Sequence, residues 1–87
     1  MEIIYNILYQ DDVIKNHIPK ISGPAKSIIK NSIESKLVSD PISFGKPLRY
    51  SLKGHRRLRV GDYRIVYRID GNDVIIVAIK HRKDIYD

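Results

Sequence analysis

The stretch from His55 to Tyr67 reads His-Arg-Arg-Leu-Arg-Val-Gly-Asp-Tyr-Arg-Ile-Val-Tyr. Gly61 and Asp62 form a Gly-first pair of the kind that closes a two-residue β-hairpin. The stretch therefore predicts two short antiparallel strands with a defined register. The residues expected to oppose one another are Val60 and Tyr63, Arg59 and Arg64, Leu58 and Ile65, and Arg57 and Val66.

The two faces of this predicted ribbon differ in character, because side chains alternate across a strand. Like charges that face each other across a ladder destabilise it, so the Arg59–Arg64 pair indicates a bound anion that offsets the cost. The face suited to a core carries Arg56, Leu58, Val60, Tyr63, Ile65 and Tyr67. The basic face carries His55, Arg57, Arg59, Arg64, Val66 and Arg68.

Length and composition predict one small globular domain over residues 1–87. The 87 residues are 43% hydrophobic and 30% charged, which excludes a disordered chain. Because there is no cysteine, disulfides and thiolate zinc sites are excluded. The apolar opening over residues 3–8 is too short for a membrane span or a signal segment, so we expect a cytoplasmic protein that does not engage a membrane.

The net charge of +6 is confined to the second half of the chain. Residues 1–45 hold five lysines and five acids, whereas residues 46–87 hold eleven lysines and arginines and five acids. Clustered positive charge of this kind indicates a phosphate-bearing or strongly acidic partner. A solvated basic surface without a ligand is the alternative interpretation.

The order of elements predicts an α+β fold. Residues 2–8 form a first strand, residues 10–17 a short helix, and Ser22 caps a second helix that Asp40-Pro41 ends. Its apolar stripe carries Ala25, Ile28, Ile29, Ile33 and Leu37. After a turn-rich connector over residues 43–53 come the hairpin and an apolar strand over residues 74–79. The order β-α-α-β-β-β predicts a four-stranded, mainly antiparallel sheet with the two N-terminal helices on one face.

Four motifs resemble the RelE/ParE superfamily of toxin–antitoxin systems, and together they cover essentially the whole chain. The resemblance implies either a RelE-type ribonuclease, which cuts messenger RNA in the ribosomal A site, or a ParE-type toxin, which poisons DNA gyrase without catalysis. The motifs are Pro47-Leu48-Arg49, Leu52-Lys53-Gly54, the run from Arg57 to Tyr67, and the run from His81 to Tyr86.

The RelE-type resemblance also implies roles for individual residues. Arg64 matches an arginine that contacts the scissile phosphate, and Arg57 and His55 match basic catalytic positions. Arg82 matches a residue that acts on the leaving group, with Lys80 or His81 as alternatives, and Tyr86 matches an aromatic residue that stacks on a base. Further contacts to RNA phosphates are expected from Lys53, Arg56, Arg59, Arg68, Lys80 and Lys83.

The chemistry of RNA cleavage by the 2′-hydroxyl agrees with part of this set. Guanidinium groups bind phosphate oxygens in a fixed fork and stabilise the charge of the transition state, but they hardly ever release a proton. His55 and His81 are therefore candidates for the general acid or base, although either could be merely structural. Asp62 is interpreted as a turn residue and not as a catalytic acid, and Tyr63 and Tyr67 as structural.

The leading hypothesis is thus a toxin that cuts messenger RNA on the 70S ribosome without a cofactor or metal. Its expected partners are the ribosome, the messenger RNA and an acidic, partly disordered antitoxin that folds over the basic face. A gyrase inhibitor of the ParE type is the first alternative. A plain nucleic-acid-binding module is the second.

Overall fold

A computed structural model describes residues 3–49 and 53–85. The helical segments between the first two strands all precede the central hairpin, and one short helix follows the last strand. The strands are β1 (Asn6–Tyr9), β2 (Lys46–Pro47), β3 (Arg56–Val60), β4 (Tyr63–Asp70) and β5 (Asp73–His81). The helices are a π-helical turn (Val13–His17), a 3-10 turn (Ile18–Lys20), α1 (Gly23–Ser32) with a π-helical extension (Ile33–Leu37), α2 (Pro41–Phe44) and α3 (Arg82–Ile85).

The described strands form one sheet in the order β1-β5-β4-β3-β2. β1 runs parallel to β5, and the other neighbours are antiparallel. The α+β class is confirmed, but the predicted four strands are five in the described residues. The additional strand, β2, is two residues long and pairs Lys46 with Arg57 and Pro47 with Arg56. A strand this short, with a proline at the sheet edge, leaves no periodic pattern in the sequence.

The predicted hairpin register is confirmed at every pair. Gly61 adopts a φ of 58°, as the turn requires, and Arg59 faces Arg64 across the ladder. β4 then continues into a second hairpin with β5, which contains a bulge between Val66 and Tyr67. The bulge changes the strand alternation, so that the core side chains of β5 are Val74, Ile76 and Ile79.

The helix boundaries were predicted in part. Ser22 caps α1 as expected, and its Oγ accepts a hydrogen bond from the Ala25 amide at 3.4 Å. The helix was predicted to end at Asp40-Pro41, but its extension ends at Leu37, and Asp40 instead caps α2 through a 3.1 Å hydrogen bond from the Ser43 amide. Ile28, which was assigned to the apolar stripe, is 59% exposed. No helix in the described part of the chain has the length and apolarity to cross a membrane.

Arg56 lies on the helix-facing side of the sheet. Its Nη2 donates to the carbonyl oxygens of Ile42 at 2.6 Å and Gly45 at 2.9 Å. On the same side, the buried Tyr67 hydroxyl donates to the Pro41 carbonyl at 2.6 Å. Burial raises the pKa of Tyr67, and the hydrogen bond and charge of Arg56 oppose that shift. These contacts show that Arg56 supports α2, and its predicted contact with RNA phosphate stays a prediction.

His17 completes the edge of β5 beyond the end of β1. β1 pairs as far as Tyr9 and Ile76, and past that point the buried Nδ1 of His17 accepts a hydrogen bond from the Ile79 amide at 3.0 Å. The Nε2 of His17 lies 3.2 Å from Asp12 Oδ2. A hydrogen bond from Asn16 is the main cause that lowers the pKa of Asp12, and His17 contributes to the shift. Both ring nitrogens of His17 are thus used by the fold.

Replacing His17 with alanine should lower the free energy of unfolding by about 1–3 kcal/mol, because the buried Ile79 amide loses its acceptor. His17→Gln is the matched control, since its side-chain carbonyl can accept from the same amide and should recover part of the loss. Urea unfolding at neutral pH, followed by circular dichroism, measures both. Equal stability of wild type and His17→Ala would contradict this role.

Candidate nucleic-acid interface

The face of the sheet that is turned away from the helices is basic. Strand alternation and register place Arg59, Arg64 and Lys80 side by side across β3, β4 and β5. In the next row, Arg57 is flanked by Lys46 on β2. Such rows of like charge oppose sheet formation. The electrostatic repulsion predicted between Arg59 and Arg64 therefore also involves Lys80 on β5.

A cleft lies on this face at the turn of the hairpin formed by β3 and β4, next to the start of α3. Of the residues that the structure describes, Arg59, Gly61, Asp62, Arg64 and Arg82 line this arginine cleft, which has a volume of about 190 Å³. The hairpin strands supply Arg59 and Arg64, and the first residue of α3 supplies Arg82. The cleft thus brings together side chains from β3, β4 and α3, and α3 is distant in sequence from the two hairpin strands.

One backbone hydrogen bond and two side-chain contacts hold the cleft together. The Arg82 amide donates to the Asp62 carbonyl oxygen at 2.7 Å, which fixes the start of α3 against the hairpin turn. The Arg82 Nη1 lies 4.0 Å from Asp62 Oδ1. The Arg59 Nε donates to the Gly61 carbonyl at 3.4 Å, so the guanidinium group bends back over the turn. These contacts hold Arg59 and Arg82 around Asp62.

The electrostatics of the arginine cleft favour a phosphate group. Its described lining contains three guanidinium groups and the Asp62 carboxylate, so it carries an excess of two positive charges. Guanidinium groups keep their charge and can bind two phosphate oxygens at once. A volume of about 190 Å³ is smaller than the typical 300–1,000 Å³ of a small-molecule pocket. The cleft therefore suits a phosphate rather than a whole nucleotide.

The structure brings together Arg59, Arg64 and Arg82, to which the sequence assigned separate contacts with the RNA. Arg57 lies on the basic face one cross-strand row away, and Arg68 lies 4.0 Å from Asp70. Lys53, Lys80 and Lys83 are exposed. Tyr86, predicted to stack on a base, lies outside the described residues. The predicted roles of all these side chains remain predictions.

The two histidines proposed as acid or base lie elsewhere. Neither His55 nor His81 belongs to the described lining of the arginine cleft. His55 precedes β3, and its buried Nδ1 has no hydrogen-bond partner among the described residues. His81 faces Tyr63 across the ladder, with the two rings edge to face at 5.0 Å. Its Nδ1 accepts a hydrogen bond from the Lys83 amide at 3.1 Å.

Asp62 lies at the arginine cleft, a position that the sequence did not predict. It was interpreted as a turn residue alone, and it does occupy the turn, but it also lines the arginine cleft beside Arg82. A signal was present in the sequence, because Asp62 is the one acid among eight basic residues between Lys46 and Arg68. A single carboxylate in so basic a stretch indicates a specific interaction with one of the neighbouring basic side chains.

Comparisons with known proteins agree with the motif resemblance. The family model described as the ParE toxin of type II toxin–antitoxin system, parDE, matches residues 12–86. Toxin RelG of Mycobacterium tuberculosis is 46% identical over 52 residues, which span 58% of this chain and 60% of that protein. Toxin RelE3 of Methanocaldococcus jannaschii is 33% identical over 93% of this chain and 94% of its own length.

Solved structures show the same fold. In the toxin–antitoxin complex RelBE2 from Mycobacterium tuberculosis, one chain superimposes with a TM-score of 0.84 and 28% identity, over 92% of this chain and 93% of that one. A chain of the RelB–RelE antitoxin–toxin complex from Methanococcus jannaschii gives a TM-score of 0.65 and 25% identity, over 92% and 95%. The family predicted from the motifs is therefore confirmed.

Proposed function

Because this chain belongs to the ParE toxin family of type II toxin–antitoxin systems, we propose that it is a ribosome-dependent endoribonuclease that stops translation by cutting messenger RNA in the A site. The observation that carries the proposal is the convergence of Arg59, Arg64 and Arg82 on one phosphate-sized cleft. The relatives named RelG and RelE3 add support for the RelE-type branch.

The arginine cleft would bind the scissile phosphate. During attack by the 2′-hydroxyl, the phosphorus becomes pentavalent and its oxygens gain negative charge. Arg64 and Arg59 approach from the sheet and Arg82 from α3, so their charges surround that phosphate from two sides. Positioned positive groups of this kind stabilise the transition state more than the ground state.

Asp62 would accept the proton of the attacking 2′-hydroxyl. Among the described lining residues of the cleft, its carboxylate is the group that can take up a proton, since guanidinium groups are already fully protonated. The 2′-oxygen then bonds to phosphorus, the bond from phosphorus to the 5′-oxygen breaks, and that oxygen takes a proton from water. The products are a 2′,3′-cyclic phosphate and a free 5′-hydroxyl. We prefer Asp62 to His55 and His81 because, of these three residues, Asp62 is the one in the described lining of the cleft that would bind the phosphate.

The size of the arginine cleft provides a reason for ribosome dependence. A cleft of about 190 Å³ can hold a phosphate but offers little to orient the ribose that precedes it. Cleavage requires the 2′-oxygen, phosphorus and 5′-oxygen to be in line. The ribosome, which holds the codon in the A site, would supply that alignment.

An antitoxin is the second expected partner. The superimposed RelBE2 and RelB–RelE chains were both solved in complex with antitoxins. In this chain, the row Arg59–Arg64–Lys80 offers a binding surface for an acidic segment that folds on contact. An antitoxin bound there would cover the arginine cleft and block RNA.

The cleavage chemistry can be tested with messenger RNA that carries one 2′-deoxynucleotide at the cleaved position of the A-site codon. We expect programmed ribosomes with this RNA to be cut at least about a hundredfold more slowly, because the nucleophile is missing. A matched RNA with the 2′-deoxynucleotide one codon downstream should be cut normally and yield a 2′,3′-cyclic phosphate. Unchanged cutting at the modified position would contradict the proposed reaction.

Inhibition of DNA gyrase is a second candidate function, because the family model that matches residues 12–86 is that of ParE toxins. A basic binding face without catalysis would serve this function equally well. A DNA-supercoiling assay with purified gyrase separates the two. Loss of supercoiling, together with no cutting of RNA on ribosomes, would favour gyrase as the target.

A further inference from the structure

A second cleft lies on the helix-facing side of the same sheet end. It has a volume of about 220 Å³, and its described lining comprises Asn16, His17, Lys20, Ile21, Tyr63, Ile79, Lys80 and His81. Ile21, Ile79 and His17 are buried and form its floor, while Asn16, Lys20 and Lys80 are exposed at its rim. No role has been assigned to this cleft by the function proposed above.

The two clefts share a wall. Asp62 and Arg82 line the arginine cleft, and the residues next to them in sequence, Tyr63 and His81, line the second cleft. Tyr63 and His81 face each other in the ladder, and the bond from the Arg82 amide to Asp62 ties the two segments together. The clefts therefore lie on opposite sides of one sheet end, where a chain can pass from one face to the other.

The lining of the second cleft matches the parts of a nucleotide. Tyr63 and His81 are half-buried rings held edge to face, a geometry that leaves aromatic surface for a base. Because His81 Nδ1 accepts from the Lys83 amide, the neutral ring carries its proton on Nε2 and can donate a hydrogen bond. Lys20 and Lys80 supply two positive charges for a phosphate, and Lys80 lines this cleft although strand register assigns it to the basic face. Asp12, which lies 3.2 Å from the Nε2 of His17, offsets part of that charge, and Lys80 contributes to lowering its pKa.

We propose that this second cleft holds the base of the nucleotide next to the scissile phosphate against Tyr63 and His81, while the phosphate of that nucleotide lies outside the cleft, at its rim beside the exposed Lys20 and Lys80. The identification of this nucleotide as part of the cleaved RNA rests on the proposed function. The binding chemistry of the cleft, an aromatic base joined to a phosphate, follows from its own lining. RNA would thus cross the sheet end, one phosphate in the arginine cleft and the adjacent nucleotide behind it.

Chemical-shift mapping with the purified chain tests this site. The probes are adenosine 5′-monophosphate, adenosine and inorganic phosphate, each titrated into ¹⁵N-labelled protein. We expect the nucleotide to shift the amides of Asn16 and Ile21 with a dissociation constant on the order of 1 mM. Adenosine and phosphate alone should each bind this cleft about tenfold more weakly, because each lacks half of the contacts.

Variants sharpen the test. Lys20→Ala should weaken nucleotide binding at Asn16 and Ile21 about fivefold, whereas Lys26→Ala on the exposed surface of α1 should leave it unchanged. The inference is overturned if the nucleotide shifts neither amide even at nucleotide concentrations well above the expected dissociation constant. It is also overturned if phosphate alone reproduces the shifts, since the rings would then make no contact.

The same titration reports separately on the arginine cleft. Inorganic phosphate should shift the amides of Gly61 and Arg82, which border that cleft and not the second one. Phosphate binding at Gly61 without nucleotide binding at Asn16 would refute the second site and leave the proposed function in place. Nucleotide binding at Asn16 without any phosphate effect at Gly61 would count against the arginine cleft instead.

Discussion

Replacing Arg64 with alanine should reduce cleavage of messenger RNA on programmed ribosomes about a thousandfold. Arg64 belongs to the described lining of the arginine cleft and stands between Arg59 and Lys80 in the cross-strand row. Its loss removes a two-pronged donor at the point where the phosphate gains charge in the transition state. Arg64→Lys keeps the charge but loses the fork, so it should retain part of the activity.

The effect of Arg64 on chemistry must be separated from its effect on binding. Single-turnover cleavage at saturating toxin measures the chemical step, and cosedimentation with ribosomes measures binding. We expect Arg64→Ala to bind ribosomes within about threefold of wild type, because the cleft is one of several basic contacts. Lys30→Ala, which removes one exposed charge from α1, is the control that should leave both measurements unchanged. Undiminished single-turnover cleavage by Arg64→Ala would refute the role of the arginine cleft.

The second large effect is expected in stability, at Gly45. Gly45 is buried at the start of the connector that follows α2, and a Cβ added there would overlap the Tyr67 hydroxyl and lie 2.6 Å from Tyr67 Cζ. Tyr67 is fully buried, and its hydroxyl donates to the Pro41 carbonyl at 2.6 Å, so the ring has no room to withdraw. Gly45→Ala should lower the free energy of unfolding by about 3 kcal/mol.

Denaturant unfolding of Gly45→Ala and Gly23→Ala side by side measures this effect. Gly23 has no atom within 4 Å of its added Cβ and lies at the start of α1, so alanine there should be neutral or slightly stabilising. The two variants make the same chemical change in different surroundings. Similar midpoints for both would show that the packing of Tyr67 against Gly45 does not restrict the core.

Features set by neighbouring residues could be predicted from the sequence. The Gly61-Asp62 turn determines the register of β3 and β4, and the Ser22 hydroxyl reaches an amide only three residues away. Such features depend on turn geometry and on the free amides at the start of a helix, both of which are local. The family motif lies in the same stretch, which is why the fold class and the pairing of Arg59 with Arg64 followed from it.

Features that depend on distant residues could not be predicted. His17 bonds to Ile79 across 62 positions, and Arg56 bonds to carbonyls 14 and 11 residues away. β2 is a strand only through its pairing with β3. Arg82 lies at the cleft because its amide donates a hydrogen bond to the Asp62 carbonyl. The hydrophobic periodicity of the sequence does not predict these long-range contacts, because each forms only when the sheet has folded. The exclusion of His55 and His81 from the described lining of the arginine cleft has the same origin.

The most direct test of the central claim is primer extension on one defined messenger RNA incubated with the purified chain, with and without programmed ribosomes. The proposed function predicts cuts within the A-site codon that require ribosomes and disappear with Arg64→Ala. Cuts that persist without ribosomes, or that remain when Arg64 is removed, would contradict it. The complete absence of cutting would contradict it as well and would make DNA gyrase the next target to assay.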